Sequence, residues 1–171
     1  MYQIGWGKQE IRVAANGYAM QGYGMWHTRV RGQQSTLLAR ALFLSDGNGQ
    51  SVIFCCLDLG YITHAMRVGV CARLREHMKG AFNEASLVLT CTHTHSGPGG
   101  CTHDVLYNVV TPGFVPDNLE KIIEAATAAI LAAWQSAAPA ELGLAEGAFD
   151  DTVPVAWNRS LRAYNRNPDV T

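Results

Sequence analysis

The sequence predicts an α/β protein, a layered mixed β-sheet flanked by helices. Three observations predict it. Two apolar runs, residues 36–45 (TLLARALFLS) and 51–57 (SVIFCCL), flank Asp46-Gly47-Asn48-Gly49, a hairpin signal. Two longer segments, residues 63–79 and 117–136, repeat their apolar residues at helical spacing. A short β-branched run, Leu87-Val88-Leu89-Thr90, lies between those two helices. Hairpin, helix, strand, helix and a last weak strand, in that order, make a layered sheet with both antiparallel and parallel pairs.

Taken along the chain, residues 4–13 (IGWGKQEIRV) read as a short, broken strand, and Asn16-Gly17 as a turn. Residues 20–26 form a glycine and aromatic loop. Beyond it His27, Arg29 and Arg31 alternate, as in an extended stretch with a solvated polar face. The two hairpin runs are apolar on both faces, which places them inside the sheet rather than at its edge. Asp58-Leu59-Gly60 closes the second run, and Asp58 reads as a turn or cap residue or as a site residue. The helix over 63–79 has Thr63 as its N-cap, Lys79-Gly80 as its stop and His64 and His77 on its solvated side. Residues 101–116 are a long, mostly structureless segment, of a length that is often functional beside a site. In the helix over 117–136, Asp117 caps and Glu120 completes a capping box. Its apolar face runs through Leu119, Ile122, Ile123, Ala126, Ile130 and Trp134, and Pro139 stops it. Residues 140–149 alternate weakly and read as a strand, and the tail beyond is polar and turn-rich.

The chain of 171 residues is long enough for one domain with a sizeable core. A net charge of −1 gives no reason to expect nucleic acid or a strongly electrostatic membrane footprint. No run approaches the roughly 18 apolar residues of a membrane span, and the first residues lack the pattern of a signal peptide. The cysteines Cys55, Cys56, Cys71, Cys91 and Cys101 are odd in number and partly within apolar runs, so free thiols in a reducing compartment are expected.

The chemistry concentrates in residues 86–100 (SLVLTCTHTHSGPGG), where a buried strand leads into two histidines and a glycine-rich turn. In extended chain His93 and His95 point to one face, so their imidazoles are expected to meet in one cleft. Two such rings can share a metal, or one can bind it while the other moves a proton. The glycines let backbone N–H groups approach a ligand and stabilise negative charge, or serve only as a tight turn. Cys91 is the candidate nucleophile of a competing Cys–His reading.

Residues 92–100 resemble the signature loop of the neutral/alkaline (non-lysosomal) ceramidases. The likeness extends to Met20-Gln21-Gly22-Tyr23, Ala39-Arg40-Ala41, Asp58-Leu59-Gly60, Leu106-Tyr107-Asn108, Gly113-Phe114, Asn158-Arg159-Ser160 and Asn167-Pro168, and so to essentially all of residues 1–171. The resemblance implies a zinc-dependent amide hydrolase that cleaves ceramide, or a related N-acyl lipid, to sphingosine and fatty acid. With that substrate goes peripheral contact with a membrane surface. It implies His93 as a zinc ligand, and His95 as a catalytic residue beside the metal, touching substrate or passing a proton. Arg159 is implied as a catalytic and substrate-binding arginine near the scissile amide, and Gly22 as part of the pocket wall. The family's second zinc histidine, glutamate, tyrosine and serine come from later in a longer chain. Residues 1–171 therefore correspond to the N-terminal part of a catalytic domain, expected to act only with its remainder. Residues 26–35 differ from the family, and no role passes to His27. Family members are often secreted, against the reducing compartment that the cysteines suggest. The alternatives are a non-catalytic binding or structural module of the same fold and the Cys–His hydrolase.

Overall fold

The fold was analysed in a computed structural model, which describes residues 1–13, 19–23, 25, 27–109, 113–150, 152–153 and 160–168. Two compact units divide the chain, Met1–Glu141 and Leu142–Thr171. The first holds one five-stranded sheet. Its strands are β1 (Tyr2–Glu10), β2 (Leu38–Ser45), β3 (Ser51–Leu57), β4 (Leu87–Cys91) and β5 (Ala138–Ala140), in the order β4-β3-β2-β1-β5. Only β3 and β4 are parallel, so the sheet is mixed. The β2–β3 hairpin forms where its turn residues predict. Asp46 Oδ1 accepts from the N–H groups of Asn48 (2.7 Å) and Gln50 (3.1 Å), closing the turn on itself.

A parallel pair needs a long crossover, and α1 (His64–Met78) supplies it between β3 and β4. Thr63 caps it as expected, its Oγ1 accepting from Met66 N–H at 3.2 Å. Met66, Val70, Leu74 and Met78 are buried together with Cys71, whereas Val68 faces out. His64 and His77 are exposed, as expected. The long helix spans Pro116–Gln135 (α3), after the short helix α2 (Val105–Asn108) in the segment expected to lack structure. Pro116 occupies its first position, where the fixed φ suits a helix and no N–H is needed. Asp117 therefore lies inside the first turn, where it complements the helix dipole, and is not the cap. Glu120 reaches across to Arg73 of α1 rather than back to its own N-terminus. The apolar face buries Leu119, Ile122, Ile123, Ala126 and Ile130, with Trp134 half-buried. Both helices share one core with Ile53, Cys55 and Leu57 of β3.

Three strand readings change. The first strand is nine residues long and unbroken. Its glycines mark where α3 lies on the sheet. A Cβ on Gly5 would fall 1.9 Å from Ala133 O, and one on Gly7 2.1 Å from Ala129 O, so only hydrogen fits beneath the helix backbone. The strand expected at 140–149 is reduced to the three-residue β5, and residues 141–150 are in neither helix nor strand. β5 carries Pro139, tolerated because the strand is at the edge. The strand before the histidines is the opposite edge of the sheet rather than a buried centre, with Val88 exposed. In the second unit a short helix, α4 (Leu161–Tyr164), follows a Thr152 turn closed by Asp150.

Gly5→Ala is expected to cost about 2–3 kcal/mol by overpacking, read as a lowered urea midpoint. Gly143→Ala, where a Cβ meets nothing within 4 Å, is expected to leave the midpoint unchanged.

Candidate functional site

The parallel pairing of β3 and β4 brings Leu57 beside Cys91 and continues one residue further, Thr92 N–H donating to Leu57 O at 3.0 Å. The chain then leaves the carboxyl end of the sheet, where open α/β sheets place ligands. His93 does not continue the strand. Its φ is +59°, a left-handed conformation uncommon for a residue with a side chain. That reversal swings the ring back to Gly60, with Nδ1 2.6 Å from the Gly60 carbonyl oxygen. A carbonyl only accepts, so Nδ1 carries the hydrogen and Nε2 presents a lone pair. His95 Nε2 lies 3.5 Å from His93 Nε2, the ring centroids 5.0 Å apart and the planes nearly perpendicular. The two imidazoles thus meet as expected, by a turn rather than by strand alternation, and both histidines are exposed.

Asp58 holds the floor of this loop. Its Oδ2 accepts from Leu38 N–H (3.0 Å) and its Oδ1 from Arg40 (2.8 Å), and the Thr92 side chain nearby also favours its charged form. Burial pulls this carboxyl upward, but the Arg40 and Leu38 hydrogen bonds and the Thr92 side chain outweigh it and hold it below the usual carboxylate range. One side chain therefore ties the start of β2 to the end of β3, near the residue before His93. Gly60, two residues along, supplies the carbonyl that orients His93.

The second wall is the segment over 19–22. Gln21 N–H donates to Gly97 O (3.1 Å), Gly99 N–H donates to Ala19 O (2.9 Å), and Met20 bridges to Pro98. Gly22 follows with φ +80°, directly against His95. A Cβ there would stand 2.2 Å from His95 Nδ1, so this position admits no side chain. Tyr23 approaches the same ring edge-on, with centroids 6.5 Å apart.

Residues 97–100 are buried. Asn118, fully buried in the first turn of α3, donates from Nδ2 to Gly99 O at 3.0 Å, and Val115 N–H donates to Gly100 O at 2.8 Å. The turn thus staples the 19–22 wall to the start of α3. The Gly99 N–H is already spent on Ala19 O and does not serve an anion. A cavity of about 310 Å³ lies behind the turn, between Ser96-Gly97-Pro98 and the stretch from Arg29 to Leu37; neither imidazole lines it.

Of the residues singled out by sequence, the structure brings together Gly22, His93 and His95. Arg159 lies outside the described residues, and His27 is exposed. Gly60 and Asn118 had gone unremarked as site residues. A carbonyl leaves no mark in a sequence, whereas a buried Asn beside Leu119 is a polar residue in an apolar helical stripe. All five cysteines are free. Burial pushes the Cys55 and Cys101 thiols up to about 12, which leaves them inert. Cys91 is half-buried, and among the described residues its thiol has no hydrogen bond to either imidazole. Among the described residues no three His, Cys, Asp or Glu side chains gather as a metal set. A metal at the histidine pair would take further ligands from elsewhere.

Asp58→Asn is expected to cost about 1.5–3 kcal/mol at neutral pH through its hydrogen bonds to charged and backbone groups. A lowered folded pKa contributes stability above the unfolded value near 4 and loses it as pH falls through the folded one. The substitution is therefore also expected to flatten the acid limb of the stability curve. Gly22→Ala is expected to break the His93–His95 contact, read from their ring resonances by NMR, while circular dichroism is unchanged.

The model of the family described as neutral/alkaline non-lysosomal ceramidase, N-terminal, matches residues 2–171. The neutral ceramidase of Pseudomonas aeruginosa is 31% identical over 170 residues, covering 99% of this chain and 25% of that protein. The neutral ceramidase of Mycobacterium tuberculosis is 30% identical over 171 residues, covering 98% and 26%. That of Oryza sativa is 29% identical over 167 residues, covering 98% and 21%. A crystal structure of the Pseudomonas aeruginosa neutral ceramidase superposes with a TM-score of 0.86 at 30% identity, over 99% of this chain and 27% of that one. A ceramidase complexed with C2 gives the same score over 26% of its chain. The chain spans about a quarter of the length of these relatives. With a histidine pair at the carboxyl end of its parallel strands and a family match from Tyr2 to its last residue, this chain belongs to the neutral/alkaline non-lysosomal ceramidases.

Proposed function

We propose that the histidine pair is part of the zinc site of an amide hydrolase that cleaves the N-acyl bond of ceramide. One observation carries this: the two Nε2 atoms face each other at 3.5 Å. Two imidazoles this close let one hold a metal while the other touches the substrate beside it or moves a proton. The Gly60 carbonyl supports the same reading, because it fixes the His93 tautomer with Nε2 free to ligate. The names of the relatives support the substrate.

In this proposal His93 Nε2 is the ligand. His95 Nε2 sits beside it, placed to hydrogen-bond the substrate and to move a proton to or from the scissile amide. Gly22 forms the wall behind His95, and Arg159 holds a substrate oxygen through its guanidinium fork. Zinc, when bound, polarises the amide carbonyl or lowers the pKa of a water. A catalytic zinc has about three protein ligands, and the described residues supply at most two. The remainder of a longer polypeptide would complete the set.

The 171-residue chain is accordingly expected to bind Zn²⁺ weakly and to release no fatty acid from a short-chain ceramide. A zinc titration followed through the histidine resonances is expected to perturb His93 and His95 first. His93→Ala is expected to weaken binding at least about ten-fold, or 1.4 kcal/mol. Unchanged binding in that variant overturns the assignment. With this chain in place of the matched quarter of the Pseudomonas aeruginosa enzyme, His95→Ala is expected to lower kcat about 10²–10⁴-fold with zinc retained. Turnover inhibited by thiol alkylation and indifferent to chelators would favour Cys91 instead.

A further inference from the structure

The face of the sheet opposite the helices carries three side-chain ladders. Registered partners share a face, so Trp6, Leu42, Phe54 and Val88 form one row across four strands. Ile4, Leu44 and Val52 form the row beside it. Trp6 is 71% exposed, and Leu42, Val52, Phe54 and Val88 each 42–47%. The third row is Lys8, Arg40, Cys56 and Thr90. A sheet face that meets water alternates toward polar residues. Here two successive ladders are wholly apolar and contiguous, more than scattered surface residues account for.

We propose that this face is an interface, covered in the working protein by a second apolar layer supplied by the rest of the same polypeptide. Two observations fix the occupant. The relatives keep this fold at a TM-score of 0.86 while about three quarters of their chain lies elsewhere. The third ladder sets Lys8 directly opposite Arg40, an unfavourable like-charge pair. Arg40 is paired with Asp58, whereas Lys8 forms no ion pair among the described residues. The covering layer therefore presents apolar side chains to Trp6 and Phe54 and a carboxylate to Lys8. This inference rests on family membership and not on zinc or catalysis, so it stands or falls separately from the proposed function.

Two measurements test it. In the 171-residue chain alone, hydroxyl-radical footprinting is expected to oxidise Trp6 and Phe54 strongly. The chain is expected to bind an apolar reporter dye, and the double variant Trp6→Thr/Phe54→Thr to lose that binding without a lower thermal midpoint. A chain that binds no dye overturns the proposal, as does a stable dimer in sedimentation that shields Trp6, which would assign the face to a second copy. In the chimera with the Pseudomonas aeruginosa enzyme, oxidation of Trp6 and Phe54 is expected to fall to the level of the helix-covered Leu57, and Lys8→Glu to lower the chimera's stability but not the isolated chain's. Equal oxidation in chimera and isolated chain overturns the proposal. If the chimera does not fold, dye binding and sedimentation of the isolated chain decide.

Discussion

The hydrogen bond from His93 Nδ1–H to the Gly60 carbonyl is the interaction on which the chemistry of the loop depends. Without it the ring is free to rotate about its side-chain bonds, and either nitrogen can carry the proton. With it, Nε2 is the atom presented outward, at a fixed place over the carboxyl ends of β3 and β4. Two features converge to make the bond. The parallel register delivers Thr92 beside Leu57, and the left-handed backbone of His93 turns the side chain back across the sheet end. A positive φ on a residue with a Cβ costs on the order of 1–3 kcal/mol and persists only where surrounding contacts over-determine it. Here the contacts are the Asp58 clip on one side and the buried turn over 97–100 on the other. Strain at this one residue is thus tied to the orientation of the ring that the proposed function uses.

Missing side chains matter as much as present ones. α3 lies on β1 at a distance set by Gly5 and Gly7, and the chain over His95 passes at a distance set by Gly22. In each case hydrogen is the only substituent that fits, once against helix carbonyls and once against an imidazole. The first clearance lets the core close, and α3 then brings Asn118 and Val115 to the Gly99 and Gly100 carbonyls. The second lets His95 pack against the wall while its Nε2 stays turned toward His93.

The hairpin and both long helices were legible in the sequence, because each rests on local pattern; the two histidines meet as expected, but through the left-handed turn at His93 and not the strand alternation that suggested it. The Asp46-Gly47-Asn48-Gly49 turn closes through its own atoms, and Thr63 caps through its own hydroxyl. What was not legible depends on tertiary contacts. Glycines that break a strand and glycines that admit a helix look alike in one dimension, so β1 read as broken. Asp117 looked like a cap because Asp and Glu three apart form a capping box in isolation. Pro116 preset the helix one residue earlier, and Arg73 offered Glu120 a partner on another helix. Alternation over 140–149 promised a strand, but only residues 138–140 find β1 beside them. The apolar content of both hairpin faces was read correctly as a mark of the sheet interior. It did not say that one face is met by α1 and α3 while Trp6, Leu42, Phe54 and Val88 on the other stay exposed.

The bare face and the histidine loop share one residue. Arg40 stands in the third ladder, beside Lys8 and Cys56, with its guanidinium half exposed on the face opposite the helices. The same guanidinium donates to Asp58, whose carboxylate also receives Leu38 N–H. A layer laid over Trp6 and Phe54 would exclude water from around this ion pair, and charge-assisted hydrogen bonds strengthen as the local dielectric falls. Asp58 opens the Asp58-Leu59-Gly60 turn, whose last carbonyl orients His93. In the proposed arrangement, burial of the outer face would thereby bear on the loop that carries His93 through one salt bridge at the sheet end.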